Sequence, residues 1–255
     1  MRRIRVIPVL QIENRKLVKT TGFKAPAYVG DPLNALRIFN EKEVDEIAVV
    51  DIGATRNKKQ PDFEFIRQMA SECFMPMAYG GGVRTLDEAS EIFQLGIEKI
   101  IIGTAFFKNP DVVKKIAEKF GTQSVAVSID VRAKWLGKQK AYVTNGTVDT
   151  GSEPVAYAIK AVQVGAGELL LQSVDREGSG KGYDVALIER MSKAVGVPLI
   201  ALGGANTLDD FLKAVQAGAS AVSAGNMFIY KGPHKAVLIN YPDQNSLIQK
   251  LYSKI

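Results

Sequence analysis

GGVRTLDEASEIFQLGIEKIIIGTAFF (81–107) and GGANTLDDFLKAVQAGASAVSAGNMFI (203–229) lie over one another at a shift of 122 residues without a gap. Nine of the 27 positions are identical, among them Gly81/Gly203, Gly82/Gly204, Thr85/Thr207, Asp87/Asp209, Gly96/Gly218 and Gly103/Gly225, where chance would leave about two. Each copy reads as the end of a strand, a glycine turn, a capped helix and a second strand. The same shift sets Glu46 on Glu168, which carries the duplication one strand further back. A chain made of two similar halves follows.

Working outward, apolar β-branched runs alternate with helical stretches along the whole sequence. Strands are predicted over 4–12, 45–53, 75–81, 98–104, 124–130, 168–174, 198–204 and 220–225, and helices over 31–42, 61–72, 85–95, 110–119, 153–165, 184–194 and 207–217. Asp31 before Pro32, Thr85, Asn109 before Pro110, and Thr207 stand where helix caps belong. Near-continuous apolar strands separated by helices call for a parallel sheet covered on its outside. Eight such units in 255 residues close into a (β/α)8 TIM barrel, built from two duplicated half-barrels and forming a single domain over 1–255. An open doubly wound sheet is the alternative, but no glycine turn has the GxGxxG spacing. The longest irregular stretches, 13–30 and 131–151, follow strands 1 and 5 and would act as lids over the catalytic face; Asn145-Gly146 in the second predicts a hairpin turn.

Composition narrows the function. No apolar run reaches the roughly 20 residues of a membrane span. The opening MRRIRVIPVLQIENRK holds Pro8 and Gln11 and reads as a first strand rather than a leader, which points to the cytoplasm. A single cysteine, Cys73, rules out an internal disulfide and reads as a structural thiol ahead of a strand. With His234 as the sole histidine, a His-rich metal site or a Ser/His/Asp triad is excluded; no metal or other cofactor is expected. The net charge of +6 is dispersed, without an aromatic-laced basic tract, and suits an anionic small molecule or an acidic partner rather than nucleic acid.

In such a barrel the chemistry lies at the C-terminal strand ends. There the duplicated glycines, Gly81-Gly82 with Gly103-Thr104 and Gly203-Gly204 with Gly225-Asn226, allow backbone N–H groups to approach an anion. Two such pairs predict two phosphate sites facing each other across one mouth, as a substrate phosphorylated at both ends would require. Asp51, Asp130 and Asp175 are the acid–base candidates, because a carboxylate at the end of an apolar strand is partly desolvated. Asp130 has the strongest position. Its counterpart in the first half is Gln11, an amide that transfers no proton at neutral pH.

DIGAT (51–55), GGGV (80–83), FGTQSVAVSIDVR (120–132), GAGELLLQSVDREGSGKGYD (165–184) and GGA (203–205) resemble the HisF-type cyclase subunit of imidazole glycerol phosphate synthase over essentially the whole chain. In that family a glutaminase docked at the bottom of the barrel supplies ammonia, which is added at the top to a twin-phosphate ribonucleotide. The resemblance implies that Asp130 is one of two catalytic aspartates, and that Lys19, Asp51, Gly82, Thr104, Gly204 and Gly225 hold substrate or phosphate. It also implies that Arg5, Glu46, Lys99 and Glu168 gate the ammonia passage, although the residues by themselves, two cations and two anions at strand starts, read as a salt-bridged plug that closes the barrel. The chain departs from the family's pattern at Gln11, which replaces the other aspartate, at Gly103 for an asparagine, at Glu177 for an aspartate and at Leu202 for a small polar residue.

An intact gate beneath a missing acid is similar to the HisF-like proteins of acetamidino-sugar loci, as are VGDPLNALRIFNEKEVDE (29–46) and HKAVLINYP (234–242). There the barrel and a HisH-like glutaminase supply ammonia to a separate ATP-dependent sugar amidotransferase of surface polysaccharide synthesis. The expectation is therefore an ammonia conduit, with a genuine cyclase of histidine synthesis as the alternative and a HisA-type isomerase third. The segment 234–242 is expected to contact a partner.

Overall fold

The computed structural model describes residues 3–232 and 234–255. Eight parallel strands form a closed ring: β1 (Arg5–Glu13), β2 (Ile47–Asp51), β3 (Met77–Gly80), β4 (Lys99–Ile102), β5 (Val125–Ala133), β6 (Glu168–Ser173), β7 (Leu199–Leu202) and β8 (Ala221–Ala224). Each pairs with the next, and the ring is sealed where Arg5 to Pro8 of β1 run beside Ala221 to Ala224 of β8. The outer layer is α1 (Pro32–Glu41), α2 (Phe63–Glu72), α3 (Leu86–Gln94), α4 (Asp111–Phe120), α5 (Pro154–Gln163), α6 (Val185–Ala194), α7 (Leu208–Gln216) and α8 (Gln244–Lys250). The fold is a (β/α)8 TIM barrel.

The duplication extends to the caps. Thr85 and Thr207 each close a reciprocal capping box, with Glu88 and Asp210 respectively. Asn109 is no cap: it ends the short helix Thr104–Lys108, Pro110 takes the cap position of α4, and no side chain caps that helix. The strand alternation separates two cores. Val6, Leu10, Val49, Tyr79, Val127 and Leu171 face the helices, whereas Ile7, Val9, Ala48, Ala78, Ile101, Ala126, Leu170, Ile200, Leu202 and Ala221 fill the barrel. Alanine on β2, β3, β5 and β8 leaves the lower interior thinly filled.

The two stretches expected to be irregular carry structure of their own. Lys16–Lys19 folds back antiparallel on β1 and pairs in turn with Ala27–Gly30. After Asp130, β5 continues to Ala133 because Gln139–Val143 pairs with it, and a second short strand, Val148–Asp149, completes the hairpin. Its turn at Asn145-Gly146 is there, with Thr144, Asn145 and Gly146 all at positive φ. Within 234–242, Ala236–Val237 pairs with Tyr230–Lys231, and Tyr241 lies on Phe228 and donates to the Val6 carbonyl at 3.0 Å. Part of this segment is thus the packed return from β8 to α8. Among the described residues no helix is long and apolar enough to cross a membrane.

Candidate active site

The barrel interior is polar at its two ends and apolar between them. At the floor, Arg5, Glu46, Lys99 and Glu168 converge from the starts of β1, β2, β4 and β6. Arg5 uses its two Nη atoms to pair with Glu46 and Glu168, and Lys99 Nζ bridges the remaining carboxylate oxygens, at 3.1 Å to Glu46 and 2.5 Å to Glu168. Two cations and two anions therefore alternate in a closed, neutral ring. Burial works against charge on Arg5, but hydrogen bonds and attraction from the two carboxylates outweigh it and hold its pKa above the ordinary value. Directly above lies a void of about 10 Å³, walled by Ile7, Ala48, Ala78, Ala126, Ile200 and Ser223. Val9, Ile101 and Leu170 separate this void from the upper cavity and line both.

The upper cavity, about 630 Å³, opens at the C-terminal ends of the strands. Both glycine cradles line it, and the tight packing of their first glycines against a strand-end carbonyl is repeated. A Cβ on Gly81 would lie 2.5 Å from the Asp51 carbonyl oxygen, and a Cβ on Gly203 would lie 2.5 Å from that of Ser173, the residue 122 further on; φ is +122° and +99°. Only glycine fits there. Lys19, Lys24, Arg56, Lys58, Lys59, Arg84, Lys108, Lys231 and Lys235 contribute to the lining, against Asp51, Asp130 and Glu177. Such a mouth attracts anions.

Gln11 and Asp130 reach the cavity from β1 and β5. Burial pushes the Asp130 carboxyl up to about 7, against a 3.3 Å hydrogen bond from the Ser128 hydroxyl and the attraction of Arg132. A carboxyl at that value can take up or give a proton near neutrality. Gln11 cannot, and its amide oxygen is already engaged, accepting from the Thr20 N–H at 3.1 Å and the Thr20 hydroxyl at 3.2 Å. Lys19, buried beside it, donates to the Val9 carbonyl at 2.8 Å. Its burial pulls the ammonium down to about 8, which nearby Glu177 partly opposes. Burial likewise raises Glu177, with Lys19 the main counterweight. Asp51, also raised by burial, accepts from the Gly53 and Ala54 N–H groups at 2.9 and 3.0 Å and so caps the short helix Ile52–Arg56.

Fourteen residues are expected from the sequence at this mouth, and all but Asp175 line it. The 3-10 turn Val174–Arg176 carries Asp175 away, and its carboxylate accepts from the Ala133 N–H at 2.7 Å, anchoring the β5 extension. The side-chain donors expected beside the cradles are turned toward loops. Thr104 Oγ1 accepts from the Thr144 N–H at 2.9 Å, and Asn226 Nδ2 points to the Gly178 carbonyl at 3.4 Å while its buried Oδ1 has no partner among the described residues. Cys73 donates to the Met75 carbonyl, and burial raises its thiol to about 11, which leaves it un-ionised and structural. His234 is exposed. Sequence reasoning missed Thr20, which fixes Gln11, and Gln172 and Ser128 on the cavity wall.

The model of the family described as "Histidine biosynthesis protein" matches residues 5–235. A protein of Pseudomonas aeruginosa provisionally named imidazole glycerol phosphate synthase subunit hisF2 is 48% identical, over 97% of this chain and 99% of its own. The chain belongs to the HisF family of imidazole glycerol phosphate synthase subunits. A similarly provisional HisF of Leptospira interrogans is 46% identical, over 94% of this chain and 95% of its own. The imidazole glycerol phosphate synthase subunit HisF of Pyrobaculum aerophilum is 39% identical, over 89% and 90%.

Proposed function

We propose that this HisF-family barrel is an ammonia conduit. It receives ammonia from a HisH-like glutaminase docked on the N-terminal face and releases it at the opposite mouth, for amidination of an acetamido sugar by a separate ATP-dependent amidotransferase of surface polysaccharide synthesis, in the cytoplasm. One juxtaposition carries the reading. The charged ring at the floor is complete and fully paired, while the mouth has an amide, pinned by Thr20, in place of one acid–base carboxylate. Delivery of ammonia needs the first and not the second. The ring offers the entering molecule hydrogen-bond donors and acceptors without net charge, and the apolar layer above favours neutral ammonia over ammonium.

A specific observation also supports a cyclase reading. Asp130 titrates near neutrality, and the matched cradles with Lys19, Asp51, Gly82, Gly103, Thr104, Glu177, Gly204, Gly225 and Asn226 suit a ligand phosphorylated at both ends. Losing one of two acid–base groups costs on the order of 10²–10⁴ in rate, which sets this reading second.

The test supplies purified protein with the twin-phosphate ribonucleotide and ammonium salt at alkaline pH, so that no glutaminase is needed. The conduit reading predicts turnover at least about 100-fold below that of a proficient cyclase. Turnover at a normal cyclase rate overturns it. Co-purification of a glutaminase with the chain is expected under both readings.

A further inference from the structure

Ser223 is a polar group that neither the ring nor the mouth uses. The inward positions of β8 are Ala221 and Ser223, followed at the rim by Gly225, and Ser223 has no solvent exposure. Its hydroxyl donates to the Ala201 carbonyl at 2.8 Å. That bond consumes the only proton and leaves the oxygen lone pairs without a donor among the described residues. The oxygen lines the void above the ring, whose remaining walls are the Glu46 and Lys99 side chains below and alanine, isoleucine, valine and leucine elsewhere. Between the ring and the cavity, Ser223 is the one polar side chain on the wall among the described residues.

A void of about 10 Å³ is close to what a single water-sized molecule needs. A neutral guest that leaves the ring for an apolar passage loses hydrogen bonds, and that loss is the main barrier to its transit. A hydroxyl locked as a donor to a carbonyl can only accept, so it favours a guest that brings N–H or O–H groups. It carries no charge with which to retain an ammonium ion, and Lys99 nearby repels one. We propose that Ser223 is a way-station for ammonia, accepting an N–H from the molecule halfway between the floor ring and the mouth. The inference rests on the conduit reading and adds to it a positioning residue outside the ring.

The test uses the complex of the full chain with its glutaminase, supplied with the sugar amidotransferase, its acetamido-sugar substrate and ATP, and compares nitrogen transfer driven by glutamine with transfer driven by ammonium salt, which reaches the acceptor without crossing the void. Ser223→Ala is expected to slow the glutamine-driven reaction by roughly 3–10-fold, the worth of one hydrogen bond, and to leave the ammonium-driven rate unchanged. Ser223→Leu, which fills the void, is expected to lower the ratio of the two rates further. Equal rates in wild type and Ser223→Ala, or a parallel fall in both reactions, overturn the role of Ser223 and leave the conduit standing. A wild-type complex that transfers nitrogen from ammonium salt but none from glutamine overturns the conduit, and this inference with it. As a readout independent of turnover, crystals of the full chain soaked in ammonium salt at alkaline pH are expected to show one small molecule within hydrogen-bond distance of Ser223 Oγ. A void empty in wild type contradicts the proposal.

Discussion

The two half-barrels are copies that agree where the backbone must be held and differ where protons would move. A Cβ at Gly81 or Gly203 would meet the carbonyl oxygen of Asp51 or Ser173 at the same 2.5 Å, and Glu46 and Glu168 occupy matching places in the ring. The acid–base positions part company, with Asp130 near neutrality in one half and the pinned amide of Gln11 in the other. So do the cradle side chains, since Thr104 is bonded to the β5 hairpin while Asn226 keeps a buried oxygen without a partner among the described residues. The scaffold is symmetric; the ring is not, since both of its cations, Arg5 and Lys99, come from the first half, and neither is the chemistry above it. That asymmetry is what a barrel needs when transit matters more than cyclisation.

The sharpest way to disturb the comparison is to make the halves alike. Gln11→Asp restores a second carboxylate facing the Thr20 donors, and a gain on the order of 10²-fold in ammonium-driven cyclase turnover is expected. An unchanged rate in that assay would show that more than the acid is missing. Next in size, Gly81→Ala and Gly203→Ala each force a Cβ against a carbonyl at positive φ. Each is expected to cost about 2–4 kcal/mol, equally in the two halves, in chemical denaturation. A clearly smaller loss in one half would break the structural symmetry.

A smaller effect separates Asp130 from Gln11 through pH. Because folding raises the Asp130 pKa from the ordinary carboxylate range to about 7, the folded state holds a proton that the unfolded chain has released. Stability from this group is therefore greatest at acid pH and is lost as pH rises toward 7. Asp130→Asn should stabilise the protein by about 1–2 kcal/mol above pH 7, after allowance for the solvent in the cavity, and by nothing near pH 4. Melting curves across that range check the sign, and Gln11→Ala should show no such pH dependence. Smallest of all, Thr104→Val removes the Thr144 contact and should cost about 1 kcal/mol, whereas Asn226→Ala, at a poorly satisfied group, should cost less than about 0.5 kcal/mol. Thermal melts that reverse this order would contradict the assignment of the hairpin latch.

Much of this architecture is legible in the sequence because it follows from period and punctuation. The strand expected over 198–204 stops at Leu202, since Gly203 and Gly204 turn to positive φ, and the strand expected to end at Asp130 runs on to Ala133, since a hairpin pairs with it. The first lid segment, 13–30, has no periodic signal and hides its antiparallel strands, whereas Asn145-Gly146 marks the hairpin of the second. The ring's four charges stand out at strand starts, but their closed alternation depends on barrel stagger that no spacing shows. Thr20 reaches Gln11 only because Lys16–Lys19 doubles back with Gln11 opposite Val18. Asp175 misled because it follows an apolar strand, and a single 3-10 turn then rotates it away. One serine in AVSAG gives no sign that it faces a void.

The most direct measurement of transit follows the nitrogen itself. The wild-type complex with its glutaminase, together with the sugar amidotransferase, its acetamido-sugar substrate and ATP, is supplied with glutamine labelled at the amide with ¹⁵N, in a bath of excess unlabelled ammonium, and the isotope in the aminated sugar is read by mass spectrometry. Passage through the barrel predicts a product labelled well above the bath composition, with the excess lost when Ser223→Leu plugs the void. A wild-type product whose label simply matches the bath would contradict the account.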